Sequence, residues 1–210
     1  NMVNGSECNI TWTVNATGDL GLYQFFAIFN SSLPINSVES GKVNITIINQ
    51  TQTPNYNINL INGWNLISLP LRPGNQTMPS PFSSIQGNYS SIFSYENGTW
   101  KSYDPSRPEF LNDLKQVNES LGLWIRMTSN DSIENSGQDV GLNFNLQTGW
   151  NLVGYSSLVV RNVSSALSGY NYTSIFSYEN GNWKSYDPTR PDFLNDLKNM
   201  TSGFGYWIKQ

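Results

Sequence analysis

Histidine is absent from this 210-residue chain, and cysteine occurs once, at Cys8. These two residue types supply most zinc ligands and many activated nucleophiles, so their scarcity removes the usual chemistry of metal sites and Cys–His catalysis. Charged residues make up 12% of the chain, about half of the roughly 25% found in typical domains. The sequence therefore predicts that the protein is not an enzyme and holds no metal or cofactor.

Long runs of one residue class are also missing. No stretch of Lys or Arg is present and the net charge is −4, so no electrostatic surface for nucleic acid is expected. No apolar stretch approaches the ~18–20 residues of a transmembrane helix, so no transmembrane segment is expected. Aromatic residues, in contrast, reach 13%, with 7 Trp, 11 Tyr and 10 Phe. This composition favours a folded chain with large rings in its core over a disordered one.

Asparagine, serine and threonine replace the missing charge, with 29 Asn, 27 Ser and 13 Thr. The pattern Asn-x-Ser/Thr occurs 14 times, whereas chance placement expects about 5 or 6. A glycan is bulky and hydrated, so each acceptor must lie on a wet surface of an exported chain. Accidental triplets in an Asn- and Ser-rich composition stay open as the alternative. The predicted N-glycosylation sites are Asn4, Asn9, Asn15, Asn30, Asn44, Asn49, Asn75, Asn88, Asn97, Asn118, Asn130, Asn162, Asn171 and Asn199.

An internal duplication organises most of the chain. Residues 91–115 and 174–198 are identical at 22 of 25 positions, and the three exchanges are conservative. Upstream, Gly-Trp-Asn-Leu occurs at both 63–66 and 149–152. The duplication predicts two tandem modules, module 1 over residues 57–128 and module 2 over residues 143–210. Six of the seven Trp occupy equivalent places in the two modules: 64/150, 100/183 and 124/207.

Turn residues divide each module into short strands. Asn62-Gly63 and Asn97-Gly98 each lie between strand-like runs and predict two-residue β-hairpins. Pro105 follows Asp104 and ends its strand, since Pro cannot continue a ladder. Each module closes with a strand such as 122–126.

Two short helices are predicted between the strands. Asn162 precedes Val163–Leu167 as a helix N-cap, and Gly169 closes that segment. Pro108–Leu114 predicts a helix with Pro in its first turn and with Phe110, Leu111 and Leu114 on one apolar face. These helices are too short for parallel crossovers, so we expect two small, mainly antiparallel α+β modules.

Residues 1–52 have a different pattern. The segments 11–14, 22–29 and 43–48 alternate like strands, and loops rich in Gly, Ser and Pro separate them. Three strands are too few for a sandwich, which needs about seven. We therefore expect an incomplete Ig-like β segment, either the end of a larger domain or one completed by another chain.

The module motifs resemble those of a known class of repeats. These motifs are Gly-Trp-Asn-Leu at 63–66 and 149–152, Trp-Lys-Ser-Tyr-Asp-Pro, Phe-Leu-Asn-Asp-Leu and Gly-Tyr-Trp-Ile at 205–208. They resemble tandem repeats in large surface proteins of archaea and some bacteria. Module 1 departs from the closing motif with Gly122-Leu123-Trp124-Ile125. Residues 8–18 are similar to a strand of adhesin- or CARDB-type Ig-like domains. The resemblance implies an S-layer, sheath, pilus-like or adhesin role and implies no catalysis.

The near-identity of the duplicated segment has three open explanations. One is structural bracing, in which Asp104 or Asp113 pairs with Arg107 and the equivalent Asp187 or Asp196 pairs with Arg190. The second explanation is a repeated binding face, because proteins commonly bind a sugar or another protein through exposed aromatic rings beside a carboxylate. The third is gene conversion. The residues of the predicted ligand-binding face are Tyr95, Trp100, Tyr103, Asp104, Tyr178, Trp183, Tyr186 and Asp187.

Together these patterns predict a mainly β, extracellular, cell-surface glycoprotein. We expect a structural building block of an archaeal surface layer, sheath or filament, which self-associates through the strand edges of residues 1–52 and carries covalent N-glycans. The alternative is an adhesin module that binds surface carbohydrate or cells through the duplicated aromatic face.

Overall fold

A computed structural model describes residues 21–29, 38–39, 41–47 and 53–210. The described residues are mainly β, with 46% in strands and 9% in helices, which confirms the predicted class. The chain divides into two compact units, residues 1–52 and residues 53–210. Among the described residues, every helix is too short or too polar to cross a lipid bilayer.

The described residues of the first unit form two antiparallel strand pairs. β1 (Gly21–Phe25) pairs with β4 (Val43–Ile47), and β2 (Ile28–Phe29) pairs with β3 (Val38–Glu39). The strand predicted over 22–29 is thus divided at Phe26-Ala27. The strand predicted over 11–14 lies outside the described residues.

The second unit holds both modules in one compact body. Its strands in module 1 and the segment after it are β5 (Asn55–Leu60), β6 (Gly63–Ser68), β7 (Arg72–Pro73), β8 (Tyr89–Glu96), β9 (Thr99–Tyr103), β10 (Gly122–Met127) and β11 (Asp131–Gln138). Those of module 2 are β12 (Trp150–Gly154), β13 (Arg161–Asn162), β14 (Ser174–Glu179), β15 (Asn182–Tyr186), β16 (Asn199–Met200) and β17 (Gly205–Lys209). The helices are α1 (Val163–Ala166) and the 3-10 segments Ser80–Ile85, Glu109–Leu111 and Asp192–Leu194.

Each module is built on the same four-stranded antiparallel sheet. The strand order is β6-β10-β8-β9 in module 1 and β12-β17-β14-β15 in module 2. A further sheet, β5-β11-β7, covers module 1, and β13 pairs with β16 in module 2.

One face of each four-stranded sheet packs on a hydrophobic core. In module 1 the fully buried side chains include Ile92, Leu123 and Ile125; in module 2 they include Ile175 and Ile208. Because side chains alternate across a strand, the neighbouring residues of these strands lie on the opposite face. That second face carries six of the seven tryptophans.

The predicted Asn97-Gly98 hairpin and the predicted helix after Asn162 are confirmed. Asn97 and Gly98 have φ of 51° and 80°, the positive values that a type I′ turn requires, and they join β8 to β9. The Asn162 side chain accepts a hydrogen bond from Ser165 N at 2.8 Å and caps α1.

The hairpin predicted at Asn62-Gly63 is wrong. β5 pairs with β11 and β6 pairs with β10, so the two strands flanking this turn belong to different sheets. The Asn65 side chain fixes the bend, since its Oδ1 accepts from Ile61 N at 3.0 Å and its Nδ2 donates to Ile61 O at 2.7 Å. A side chain therefore takes the place of the backbone ladder at this turn.

The helix predicted over Pro108–Leu114 is also wrong. Only Glu109–Leu111 forms a single 3-10 turn, and Phe110 and Leu111 are exposed while Leu114 is buried. The Asp113 side chain accepts a hydrogen bond from Ser102 N of β9, and the Asn112 side chain accepts one from Asp104 N just after β9. These two bonds hold the segment along the edge of the strand. These side chain–backbone bonds outweigh the helical spacing of the apolar residues.

Candidate functional site

The predicted ligand-binding face is divided between the two faces of each sheet. Tyr95 pairs with Trp100, whereas Ile92 pairs with Tyr103, so Tyr103 lies on the core side of the sheet from Trp100. Tyr103 accordingly packs against the hydrophobic core of module 1, and Tyr186 does so in module 2. The prediction that Tyr103 and Tyr186 share one face with the rings is therefore wrong, while Asp104 and Asp187 lie just beyond the ends of β9 and β15.

The remaining residues of that prediction join a larger aromatic cluster on the face away from the cores. Its ten rings contact one another in a closed circuit that runs through both modules. Six of the seven tryptophans belong to it. The members of this aromatic cluster are Trp64, Phe93, Tyr95, Trp100, Trp124, Trp150, Phe176, Tyr178, Trp183 and Trp207.

Contacts between the modules within the aromatic cluster are reciprocal. Trp207 of module 2 lies with its ring centroid 5.3 Å from Tyr95 and 5.8 Å from Trp100. In the equivalent contacts, Trp124 of module 1 lies 5.3 Å from Tyr178 and 5.7 Å from Trp183. The interplanar angles of 67° and 63° in the two Trp–Trp pairs also agree. The two modules are thus related by an approximate two-fold axis, and each binds the last-strand tryptophan of the other.

The Gly-Trp-Asn-Leu motif supplies one half of the interface between the two modules. Gly149 has φ of 96°, which favours glycine at the bend before β12. Trp150 enters the aromatic cluster, and Asn151 clamps the bend through Gln147 N and O. Leu152 reaches the other module and contacts Gly122.

The closing motif supplies the other half through its glycine. A Cβ on Gly122 would lie 2.7 Å from Val153 O, and one on Gly205 would lie 2.6 Å from Ile67 O. Both distances are shorter than real Cβ contacts, so only glycine permits this approach of the two backbones. Sequence reasoning missed this role, although a glycine inside both copies of a predicted strand was a usable signal.

Backbone hydrogen bonds also join the modules. Gly154 N donates to Ser120 O at 2.8 Å, and Ser68 N donates to Gly203 O at 3.0 Å. The Ser68 hydroxyl donates to Phe204 O at 2.8 Å and accepts from Tyr155 N at 3.1 Å. The two modules therefore form one compact block with ladder-like contacts at both ends of the interface.

Part of the aromatic cluster stays open as an apolar groove with a volume of about 570 Å³. Trp100 is 49% exposed and Trp183 is 53% exposed. Soluble proteins rarely leave a large contiguous apolar patch open unless it binds a partner. The residues lining this apolar groove are Tyr95, Trp100, Trp150, Phe176, Trp183 and Trp207.

Several polar residues of the duplicated segment lie elsewhere, beside the outer strand of each sheet. They form a corner over residues 102–114 in module 1 and 185–197 in module 2. Asp104 accepts from Ser106 N and Oγ and pairs with Arg107 Nε at 3.1 Å. The equivalent Asp187–Arg190 pair has the same length of 3.1 Å. The predicted bracing of Asp104 by Arg107 is therefore confirmed, and Lys101 pairs separately with Glu96, as Lys184 does with Glu179.

Hydrogen bonding lowers the pKa of several corner carboxyls. The Ser106 hydroxyl and amide lower the pKa of Asp104, chiefly by bonding to its ionised form. The amide of Ser102 has the same effect on the pKa of Asp113, and the Thr189 hydroxyl and amide on that of Asp187. A carboxyl whose pKa is lowered by folding stabilises the folded state at every pH above the pKa of the unfolded chain. That stabilisation is lost as the pH falls through the lower pKa of the folded state.

We expect the free energy of unfolding to change little above about pH 5 and to fall below about pH 4, where unfolded Asp side chains begin to protonate. Asp113→Asn keeps an oxygen acceptor for Ser102 N but cannot protonate, so its stability will fall less steeply with acid. Urea midpoints at a series of pH values measure this slope. Glu134→Gln, at an exposed position on β11, serves as the control, and equal acid slopes in both variants would contradict the expectation.

The sequon asparagines follow a clear burial pattern. Of the nine that the structure describes, Asn88 and Asn118 are half-buried and the rest are exposed. Four other asparagines are buried, and none of them belongs to a sequon: Asn112, Asn135, Asn151 and Asn195. The sequons Asn4, Asn9, Asn15, Asn30 and Asn49 lie outside the described residues.

Among the described residues, no group of three or more Cys, Asp or Glu side chains is arranged to hold a metal ion. Comparison of the chain with protein-family models, curated proteins and solved structures finds no match.

Proposed function

We propose that this chain is a structural, N-glycosylated extracellular protein, a building block of an archaeal surface layer, sheath or filament. The observation that carries the structural part is the reciprocal packing of the two modules. Each module presents a glycine-lined backbone and an aromatic surface that fit another copy of the same module. This reciprocal contact closes within the chain and makes one compact two-module block, which suits the repeating unit of an array whose chain-to-chain contacts use other surfaces.

Glycosylation is supported by the placement of the sequons. Within the described part of the chain, the four buried asparagines all avoid the acceptor pattern, while none of the nine acceptors there is buried. A hydrated glycan needs this exposure, because a buried acceptor would force it into the core. The glycans would also supply the solubility that a chain with 12% charged residues lacks.

One edge of each four-stranded module sheet is already covered by the chain itself. Ser102 O of β9 accepts from Asp113 N and Leu114 N, so the corner covers the outer edge of this sheet. The equivalent edge at Ser185 is covered in the same way by Leu197 N. We assign pairing with a neighbouring strand to residues 1–52, which include the strands β1 and β4.

Electron microscopy of the native purified protein, paired with intact mass, tests this function. We expect ordered sheets or fibres and a mass above the 23.6 kDa of the bare chain. Glycopeptide mapping should place glycans on sequon asparagines and none on Asn112, Asn135, Asn151 or Asn195, which serve as internal controls. Discrete particles of unmodified mass would contradict both parts of the proposal.

A further inference from the structure

Each module exposes a Phe–Leu pair at the tip of its corner. Phe110 is 81% exposed and Phe193 is 82% exposed; their neighbours Leu111 and Leu194 are more than half exposed. Each pair is held in place by a buried asparagine and a buried leucine that follow it in the chain. In module 1 these residues are Asn112 and Leu114. Burying a phenylalanine removes about 150–250 Å² from water, so two such rings left in solvent mark a contact surface.

The apolar groove has the chemistry to receive such a tip. Its volume of about 570 Å³ lies within the roughly 300–1,000 Å³ of ligand pockets. All six residues that line it are aromatic. Among the described residues, no carboxylate or amide side chain lines this groove, Asp104 is committed to Ser106 and Arg107, and the polar side chains beyond Tyr95 and Trp150 line a separate pocket. An apolar occupant therefore fits this groove better than a carbohydrate.

We propose that the apolar groove binds the Phe–Leu tip of a second copy of this chain, an inference that rests on the proposed structural function. The groove is continuous with an interface that already binds a module of the same kind, since Trp100 and Trp207 both line it and contact each other. The tip and the groove are different surfaces of one molecule. Their contact can therefore be heterologous, and it propagates into an open array when the rotation between neighbouring chains does not close a ring.

The size of the contact sets its strength. Each tip contributes one Phe of about 150–250 Å² and a smaller leucine, which is well below the ~800 Å² per partner of a standard stable interface. A single tip contact is thus weak. The array gains its stability because each chain carries two tips that can act together with the strand edges of residues 1–52.

Photo-crosslinking tests the contact directly. The full chain is prepared with p-benzoylphenylalanine in place of Phe193, and natural-isotope chains are mixed with ¹⁵N-labelled ones before irradiation. We expect mixed-isotope crosslinks to peptides containing Trp100, Trp150 or Trp183. The same probe at Val159, which is 57% exposed, is the matched control. Crosslinks confined to one chain, directed to a glycan, equal for both probe positions, or absent would overturn the proposal.

Substitution of the tips measures the same contact in solution. Phe110→Ser combined with Phe193→Ser should weaken self-association in sedimentation experiments by at least about tenfold, the loss that marks an interface anchor. Its melting should stay unchanged, because both rings are exposed. Val159→Ser combined with Val160→Ser removes comparable exposed apolar residues and should have no effect. Assembly of the tip variant like the wild type would overturn the tip contact alone, whereas a wild-type chain that forms no array overturns the proposed function.

Discussion

Gly154→Ala is expected to lower the free energy of unfolding by about 3 kcal/mol or more. A Cβ at this position would lie 2.2 Å from Glu119 O and 2.9 Å from Leu121 O. Both are backbone atoms of module 1, so no side-chain rotation can relieve the clash. β12 would have to move away, and the hydrogen bond from Gly154 N to Ser120 O would break. Urea unfolding followed by tryptophan fluorescence and circular dichroism measures the loss.

Gly74→Ala provides the matched control. A Cβ on Gly74 meets no atom within 4 Å, and its φ lies outside the left-handed region. Alanine there should be neutral or should stabilise the fold by about 0.4–1 kcal/mol, because it restricts the unfolded chain. Equal urea midpoints for the Gly154 and Gly74 variants would show that the two modules do not approach each other as described.

The local structure of each module could largely be predicted from sequence. The duplication predicted the two modules, Asn97-Gly98 predicted the hairpin between β8 and β9, and Asn162 predicted the N-cap of α1. Each of these depends on neighbouring residues and on backbone conformations that few residue types adopt. The failures at Asn62-Gly63 and Pro108–Leu114 arose where asparagine and aspartate side chains take the place of backbone hydrogen bonds.

The aromatic cluster could not be predicted, for a different reason. Alternation along a strand separates Trp100 from Tyr103 once the register with β8 is known. It does not reveal that the face of one module meets the same face of the other. A duplicated sequence has identical surfaces in both copies, so only the fold shows whether Tyr95 contacts its own module or Trp207.

Trp100 and Trp207 should show a coupling free energy of about 0.5–1.5 kcal/mol in a double-mutant cycle of alanine substitutions. Their centroids are 5.8 Å apart at 67°, an edge-on geometry that aromatic pairs prefer. The equivalent pair Trp124 and Trp183, at 5.7 Å and 63°, should give the same coupling within about 0.5 kcal/mol. Urea unfolding of the wild type, the single variants and the double variants provides both values.

Trp64 and Trp150 form the control cycle, because they occupy equivalent places in the two modules and contact different rings. Trp64 contacts Phe93 and Trp124, whereas Trp150 contacts Phe176 and Trp207. With no shared partner, their substitutions should be additive within about 0.5 kcal/mol. Coupling in both cross-module pairs and additivity in the control would show that the rings join the modules in pairs. Additivity in all three cycles would instead mean that the glycine-lined backbones alone hold the modules together.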